Sequence, residues 1–225
     1  MNYPDDFINK IICGDCLEVM KGIPDKRVDL VIIDPPYSVG MTSNSKKTSF
    51  DDMNIIKPFF KELFLEIQRV MKINAEIYLF TDWRTYPFIY PIFIRYFLKR
   101  NCIVWDKDRP GPSPYYHFSH EFILYGARSM NIKKRFPGTE RDVWRIQNFN
   151  PMSKERVGHP TQKPINVIQK IIKQSSDEND IILDPLLGSG TTALTCIDLK
   201  RNFIGIEINE KYCKIAEDRL RQGVL

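Results

Sequence analysis

Short apolar runs rich in β-branched and aliphatic residues alternate along this chain with stretches of helical spacing, and that alternation is the strongest constraint on its fold. The runs are Asn9 to Cys13, Val28 to Ile33, Ala75 to Phe80, Cys102 to Trp105, Phe122 to Tyr125, Ile181 to Leu183 and Asn202 to Ile206, which predicts seven strands. Between them Ile56, Phe59, Phe60, Leu63, Phe64, Ile67, Val70 and Met71 recur at helical spacing, as do the apolar residues of 86–98, 164–174, 191–199 and 210–220. Strand and helix in alternation imply an α/β fold with a doubly wound, mostly parallel sheet. The exception lies between Trp105 and Phe122, where Pro110, Gly111, Pro112, Pro114, Tyr115 and Tyr116 interrupt any helical pattern. An antiparallel edge hairpin is predicted there.

A chain of 225 residues can bury a full core as one α/β domain, and one domain over 1–225 is expected, although the length also permits two small ones. Nothing approaches the roughly 18 to 20 uninterrupted apolar residues that span a bilayer, and Met1 to Asp6 lacks the basic and apolar regions of a signal peptide. A cytoplasmic protein without membrane contact is expected. The five cysteines are odd in number and mostly sit in apolar periodic segments, as reduced core thiols do. Cys13 and Cys16 form a lone C-x-x-C with no second pair or His-x-x-x-His, so no metal site is expected.

The formal net charge of +5 is concentrated rather than spread. Between Ala127 and Gly158 stand Arg128, Lys133, Lys134, Arg135, Arg141, Arg145, Lys154 and Arg156, against Glu140, Asp142 and Glu155. That window carries the whole excess. Interleaved with Phe136, Trp144 and Phe149, it suits a polyanionic partner or equally a solvated polar insertion. Ser38 to Phe50 reads as a second ligand-facing loop.

Two strand ends carry chemistry. The run Val28 to Ile33 empties into Asp34-Pro35-Pro36-Tyr37, and ligands of open α/β sheets gather beyond such carboxyl ends. Two prolines lack N–H groups, so the loop offers carbonyl oxygens, a carboxylate and a tyrosine face: it accepts hydrogen bonds and stacks on something flat. The second site follows Ile181-Ile182-Leu183, where Asp184-Pro185-Leu186-Leu187-Gly188-Ser189-Gly190-Thr191-Thr192 leads into a helix. Its glycines allow close backbone approach, and the helix N-terminus suits an anion such as a carboxylate. Glu207, with Ile208 after it, ends the next strand about 20 residues on, where an acid can take both hydroxyls of a ribose. Ala193 stands where a dinucleotide fingerprint has its third glycine, and Asp184 would repel a pyrophosphate. S-adenosylmethionine fits better: Glu207 can meet its ribose, Asp184 its ammonium and the helix N-terminus its carboxylate, with the sulfonium toward Asp34.

With these elements in their order, the chain resembles the permuted, β-class amino-methyltransferases of DNA, from about Asn9 to Leu220. Asp34-Pro35-Pro36-Tyr37 matches the family's catalytic tetrapeptide and Asp184 to Thr192 its cofactor loop. His159-Pro160-Thr161-Gln162-Lys163-Pro164 matches the segment enclosing the methionine part of the cofactor, through Thr161 and Lys163. Gly14-Asp15-Cys16-Leu17 resembles the element that contacts the cofactor's adenine, through Asp15 and Cys16. The resemblance implies a Rossmann-like seven-stranded sheet with an antiparallel last pair, and a target-recognition segment in the basic stretch at about 127–158. One departure stands out: the family usually has phenylalanine where this chain has Leu186.

The chemistry implied is methylation of an exocyclic amine in double-stranded DNA. Hydrogen bonds from both amine protons to the Asp34 carboxylate and the Pro35 carbonyl would localise the nitrogen lone pair, with Tyr37 stacked on a flipped-out base. The chain has no Pro-Cys dipeptide for a cysteine nucleophile, which sets aside methylation at carbon-5 of cytosine. Lys46, Lys47, Arg109 and His117 are candidates for gripping phosphates, together with Lys133, Lys134, Arg135, Arg141 and Arg145. Asp82 and Trp83 either wall the base pocket or form a helix cap with a packed aromatic. An acidic first residue in the tetrapeptide favours adenine N6. Cytosine N4, an RNA amine and a non-catalytic nucleic-acid-binding module are the alternatives. The resemblance also implies a homodimer and a cognate restriction endonuclease as partners.

Overall fold

The computed structural model describes residues 1–36, 53–111, 115–132, 140–149, 157 and 162–223, the side chains of 53–55, 109 and 110 excepted. In chain order the elements are β1 (Lys10–Cys13), α1 (Cys16–Met20), β2 (Val28–Ile33), α2 (Met53–Val70), β3 (Met71–Thr81), α3 (Tyr86–Tyr96), β4 (Leu98–Gly111), β5 (Phe118–Ala127), β6 (Val143–Arg145), α4 (Ile165–Ser175), β7 (Ile181–Asp184), α5 (Thr191–Asp198), β8 (Asn202–Glu207) and α6 (Glu210–Gln222). The strands form one sheet in the order β1-β8-β7-β2-β3-β5-β4-β6. Only β5 runs against its neighbours, antiparallel to both β3 and β4.

Alternation along the buried strands sorts the core into two layers. Val31 and Ile33 of β2 pack with Phe60, Leu63, Phe64 and Ile67 of α2 and with Ile89 and Phe93 of α3. Leu30 and Ile32 face the other way, toward Val167, Ile168, Ile171 and Ile172 of α4 and Ala193 and Cys196 of α5. Each such fully buried side chain contributes roughly 1.5–3 kcal/mol, so a strand apolar on both faces belongs in the middle of the sheet. The one polar residue of β2, Asp29, is matched by Lys72 Nζ at 2.8 Å and the amide of Ile181 at 3.0 Å. On the second face, the Tyr125 hydroxyl at 2.5 Å and Ser175 Oγ at 2.8 Å both donate to the buried Glu76, fastening α4 to the sheet.

All seven predicted strands are present, and an eighth, β6, adds itself to the outer side of the hairpin. It pairs in parallel with β4, Trp105 opposite Trp144. The hairpin β4–β5 therefore lies one strand in from the edge, and part of the basic stretch at 127–158 belongs to the sheet. Trp144 is buried, with Lys170 over its ring at 5.1 Å, and Trp105 Nε1 donates to the carbonyl of Ile146 at 2.7 Å.

The winding direction reverses between β7 and β2. From β2 the chain crosses through α2 to β3 on one side, while from β7 it crosses through α5 to β8 on the other. The gap between those two helical connections, beyond the carboxyl ends of β7 and β2, is a topological switch point and the natural place for a ligand.

Candidate active site

A crevice of about 370 Å³ opens at this switch point, within the roughly 300–1,000 Å³ of small-molecule sites. Asp34 and Pro36 line it from the end of β2, and Asp184 to Ser189 from the end of β7. Glu207 and Ile208 enter from β8, and Gly14, Asp15 and Cys16 from β1. Adjacent registers, Leu30 with Ile182 and Val31 with Leu183, carry Asp34 and Asp184 out on neighbouring strands.

Asp184 is nearly covered. Its Oδ2 accepts from Thr192 Oγ1 at 2.6 Å and its Oδ1 from the amide of Leu186 at 3.1 Å. Burial pushes its carboxyl up to about 7 in spite of these two bonds, with the charges of Asp34 and Glu207 adding to the rise. Glu207 is tied at both oxygens, to the amide of Gly188 at 2.8 Å and that of Asn209 at 2.8 Å. It thus fixes the glycine loop and the approach to α6 while lining the crevice.

The loop glycines answer to packing as much as to a ligand. Gly190 has φ of 81°, and a Cβ there would lie 2.7 Å from the Cβ of Ala216 on α6. Its missing side chain makes room for that helix, where close approach by a ligand was the expectation. Arg219, also on α6 and buried, donates to the Ser189 carbonyl at 2.7 Å and to Thr191 Oγ1 at 3.2 Å.

Asp15 caps α1, accepting from the amides of Leu17 at 2.8 Å and Glu18 at 3.4 Å. Beside it, burial foremost and then the Asp15 charge push the Cys16 thiol up to about 12, so this sulfur lines the crevice as an uncharged apolar group. On the β2 side Lys163 Nζ lies 2.6 Å from Asp34 Oδ1 and 3.4 Å from Glu121, with the Phe80 ring 5.1 Å away.

The structure therefore brings together Asp15, Cys16, Asp34, Pro36, Lys163, Asp184, Pro185, Leu186, Gly188, Ser189, Thr191, Thr192, Glu207 and Ile208 around one crevice. Pro35 is buried behind it. Tyr37, Lys46, Lys47, Lys133, Lys134, Arg135 and Thr161 lie outside the described residues, as does the side chain of Arg109. His117 and Arg141 are exposed away from the crevice lining, and the exposed Arg145 pairs with Asp106 at 3.3 Å. Asp82 accepts from the amide of Thr85 at 2.8 Å in the turn before α3, whose N-cap is Thr85 rather than Asp82, and Trp83 is 54% exposed rather than packed. Ile56 and Phe59 of α2, Gln162, and Tyr212 of α6 line the crevice without having been singled out in the sequence.

Comparison with known proteins gives this geometry a family. A family model described as DNA methylase matches residues 28–218, and the chain belongs to that family. The Type II methyltransferase M.HinfI of Haemophilus influenzae is 31% identical over 97% of this chain and 70% of its own length. The DNA adenine methyltransferase YhdJ of Escherichia coli K12 is 31% identical over 93% of this chain and 82% of its own. Among solved structures, the M1.HpyAVI–SAM complex is 30% identical, covering 94% of this chain and 98% of that one with a TM-score of 0.73.

Proposed function

We propose that the protein transfers the methyl group of S-adenosylmethionine to the exocyclic N6 amine of adenine in double-stranded DNA. The observation that carries this reading is the convergence of Asp34 and Asp184 from neighbouring strand ends on one crevice at the switch point. The family membership supports it, and the relative named as a DNA adenine methyltransferase favours adenine over cytosine N4.

The donor set suits the cofactor. Asp15, Asp184 and Glu207 put carboxyl groups held by neutral donors around the crevice, a surrounding that repels a pyrophosphate and suits ammonium and sulfonium. Once bound, S-adenosylmethionine supplies an electrophilic methyl on a positively charged sulfur. Asp184 holds the cofactor's amino group, Glu207 takes the ribose hydroxyls, and Asp15, Cys16 and Ile208 border its adenine. Asp34 and the Pro35 carbonyl would accept hydrogen bonds from the two N–H groups of the target amine, which draws the nitrogen toward a tetrahedral shape and localises its lone pair for attack on the methyl. Transfer to the amine would leave the cofactor as its neutral thioether, and the extra proton on the methylated nitrogen would pass to solvent water. Tyr37 stacks on the flipped base.

As partners the reading takes duplex DNA, a second copy of the chain and a restriction endonuclease of the same specificity. None of the described helices is long and apolar enough to cross a membrane. The test is to incubate the full chain with S-adenosylmethionine and unmethylated genomic DNA, digest the DNA to nucleosides and weigh the products. N6-methyladenosine in its deoxy form is expected. N4-methyldeoxycytidine would overturn the choice of base, and no methylated nucleoside at all would overturn the reaction.

A further inference from the structure

Asp34 is one end of a chain of alternating charges leading away from the crevice. Lys163 bridges Asp34 Oδ1 at 2.6 Å and Glu121 Oε2 at 3.4 Å, and Glu121 Oε1 in turn meets Lys107 Nζ at 2.6 Å. The four side chains come from the end of β2, the approach to α4, β5 and β4, and their formal charges cancel. All are largely buried, with side-chain exposures of 22%, 7%, 12% and 17% from Asp34 to Lys107. Contacts this short between largely buried charges fix rotamers, and removing one member leaves its neighbour's charge uncompensated.

Burial by itself would strip the proton from Lys163, yet Asp34 and Glu121 together hold its pKa above the ordinary lysine value. Lys163 therefore stays an ammonium, shared between two carboxylates. Were Asp34 its sole partner, the ammonium would neutralise that carboxylate more fully and weaken it as an acceptor for a neutral amine. Glu121 draws part of the ammonium's charge toward β5. It sits in no motif of the catalytic or cofactor loops, and Lys107 keeps it in place from the adjacent strand.

We propose that Glu121 is a positioning residue for methyl transfer: acting through Lys163, it holds Asp34 in place and keeps it a strong acceptor for the amine. This rests on the reading of Asp34 as a hydrogen-bond acceptor for the target amine. The charged groups around Lys163 are Asp34 from β2, Glu121 from β5 and Lys107 from β4, with Asp184 and Glu207 across the crevice.

The test compares the full wild-type chain with Glu121→Gln, using labelled S-adenosylmethionine and unmethylated genomic DNA. We expect kcat to fall about tenfold or more while the Kd for S-adenosylmethionine stays within about threefold. The wild-type rate should hold further into the alkaline range than that of Glu121→Gln, because Lys163 with one carboxylate fewer gives up its proton earlier. Glu121→Asp, which keeps the charge, should restore the wild-type alkaline arm. A merely structural role would not move that arm. Wild-type kcat and pH profile in Glu121→Gln overturn the proposal, and so does a loss confined to KM or to cofactor binding. If Glu121→Gln does not fold, Lys107→Met carries the test: unchanged kcat there overturns it, and a lower kcat at unchanged cofactor affinity supports it. A wild-type chain that binds S-adenosylmethionine but methylates no DNA overturns the functional reading, and this one with it.

Discussion

On the β7–β8 side of the crevice Asp184, Glu207 and Asp15 are held by backbone amides and a threonine hydroxyl, whereas on the β2–β5 side Asp34 and Glu121 are held by lysine ammonium groups. Neutral donors fix a carboxylate without cancelling its charge, so the first wall keeps a negative field for a cationic ligand to meet. On the second wall the four charges of the chain Asp34-Lys163-Glu121-Lys107 cancel formally, so Asp34 is an acceptor whose charge is met by an ammonium, as suits an uncharged nucleobase amine. On the proposed reading, the first wall would receive the charged cofactor and the second the neutral target.

The largest expected effect breaks the base wall alone. Asp34→Asn keeps the shape of the side chain but replaces the carboxylate with an amide, and kcat should drop by about 10³, the scale seen on removing a preorganised hydrogen-bonding group from a transition state. Cofactor affinity, measured by equilibrium binding, should change far less. If the two fall together, the walls are not separable. A kcat within about tenfold of wild type would remove Asp34 from the chemistry.

The cofactor wall has its own signature in pH. Asp184 is a buried acid whose pKa in the folded protein, about 7, lies above its ordinary value of 3.8. The folded protein therefore binds this proton when the unfolded chain has released it, and stability without cofactor falls as pH rises from about 4 through 7, by up to about 4 kcal/mol. The cost is absent below the unfolded pKa and complete above the folded one. A cation bound beside Asp184 favours the ionised form, so cofactor binding should release a proton. The Kd for S-adenosylmethionine should rise about tenfold per pH unit on going below 7, and the thermal shift it confers should grow between pH 6 and 8. Asp184→Asn should flatten both. A Kd unchanged from pH 8 to 6 would mean that Asp184 does not face the cofactor's charge.

The two walls were not equally legible in the sequence. The cofactor wall could be read because its side chains bond locally: Asp184 reaches Thr192 within one loop, and Glu207 ends the strand that follows. The strands themselves were readable because burial on both faces writes contiguous apolar runs. The base wall depends on partners distant in sequence, Lys163 being 129 residues from Asp34, and no periodicity announces such a pair. Glu121 left only a faint trace, an acid after Ser119 and His120 at the polar start of a strand whose apolar run begins at Phe122. Arg219 left a better one, a cation in line with Cys213 and Ala216 on the buried stripe of α6. The helix α1, five residues long, is too short to show a period, and β6, three residues long, exists because β4 offers it an edge.

The smallest expected effect concerns the rim of the base wall. Just past β3 the half-exposed Trp83 lies against the Arg84 guanidinium, 5.1 Å from its ring centre, and the same guanidinium lies 5.0 Å from the ring of Phe118 at the start of β5. The guanidinium near both rings limits the motion of Trp83, which at 54% exposure keeps ring surface on which a base or sugar edge can rest. Contact with DNA made there is shared by ground state and transition state, so Trp83→Ala should raise KM for DNA by about fivefold, roughly 1 kcal/mol of stacking, and leave kcat and cofactor affinity alone. A fall in kcat at saturating DNA would instead place Trp83 inside the pocket that holds the flipped base. The base wall would then extend beyond its ion-paired chain to the start of α3.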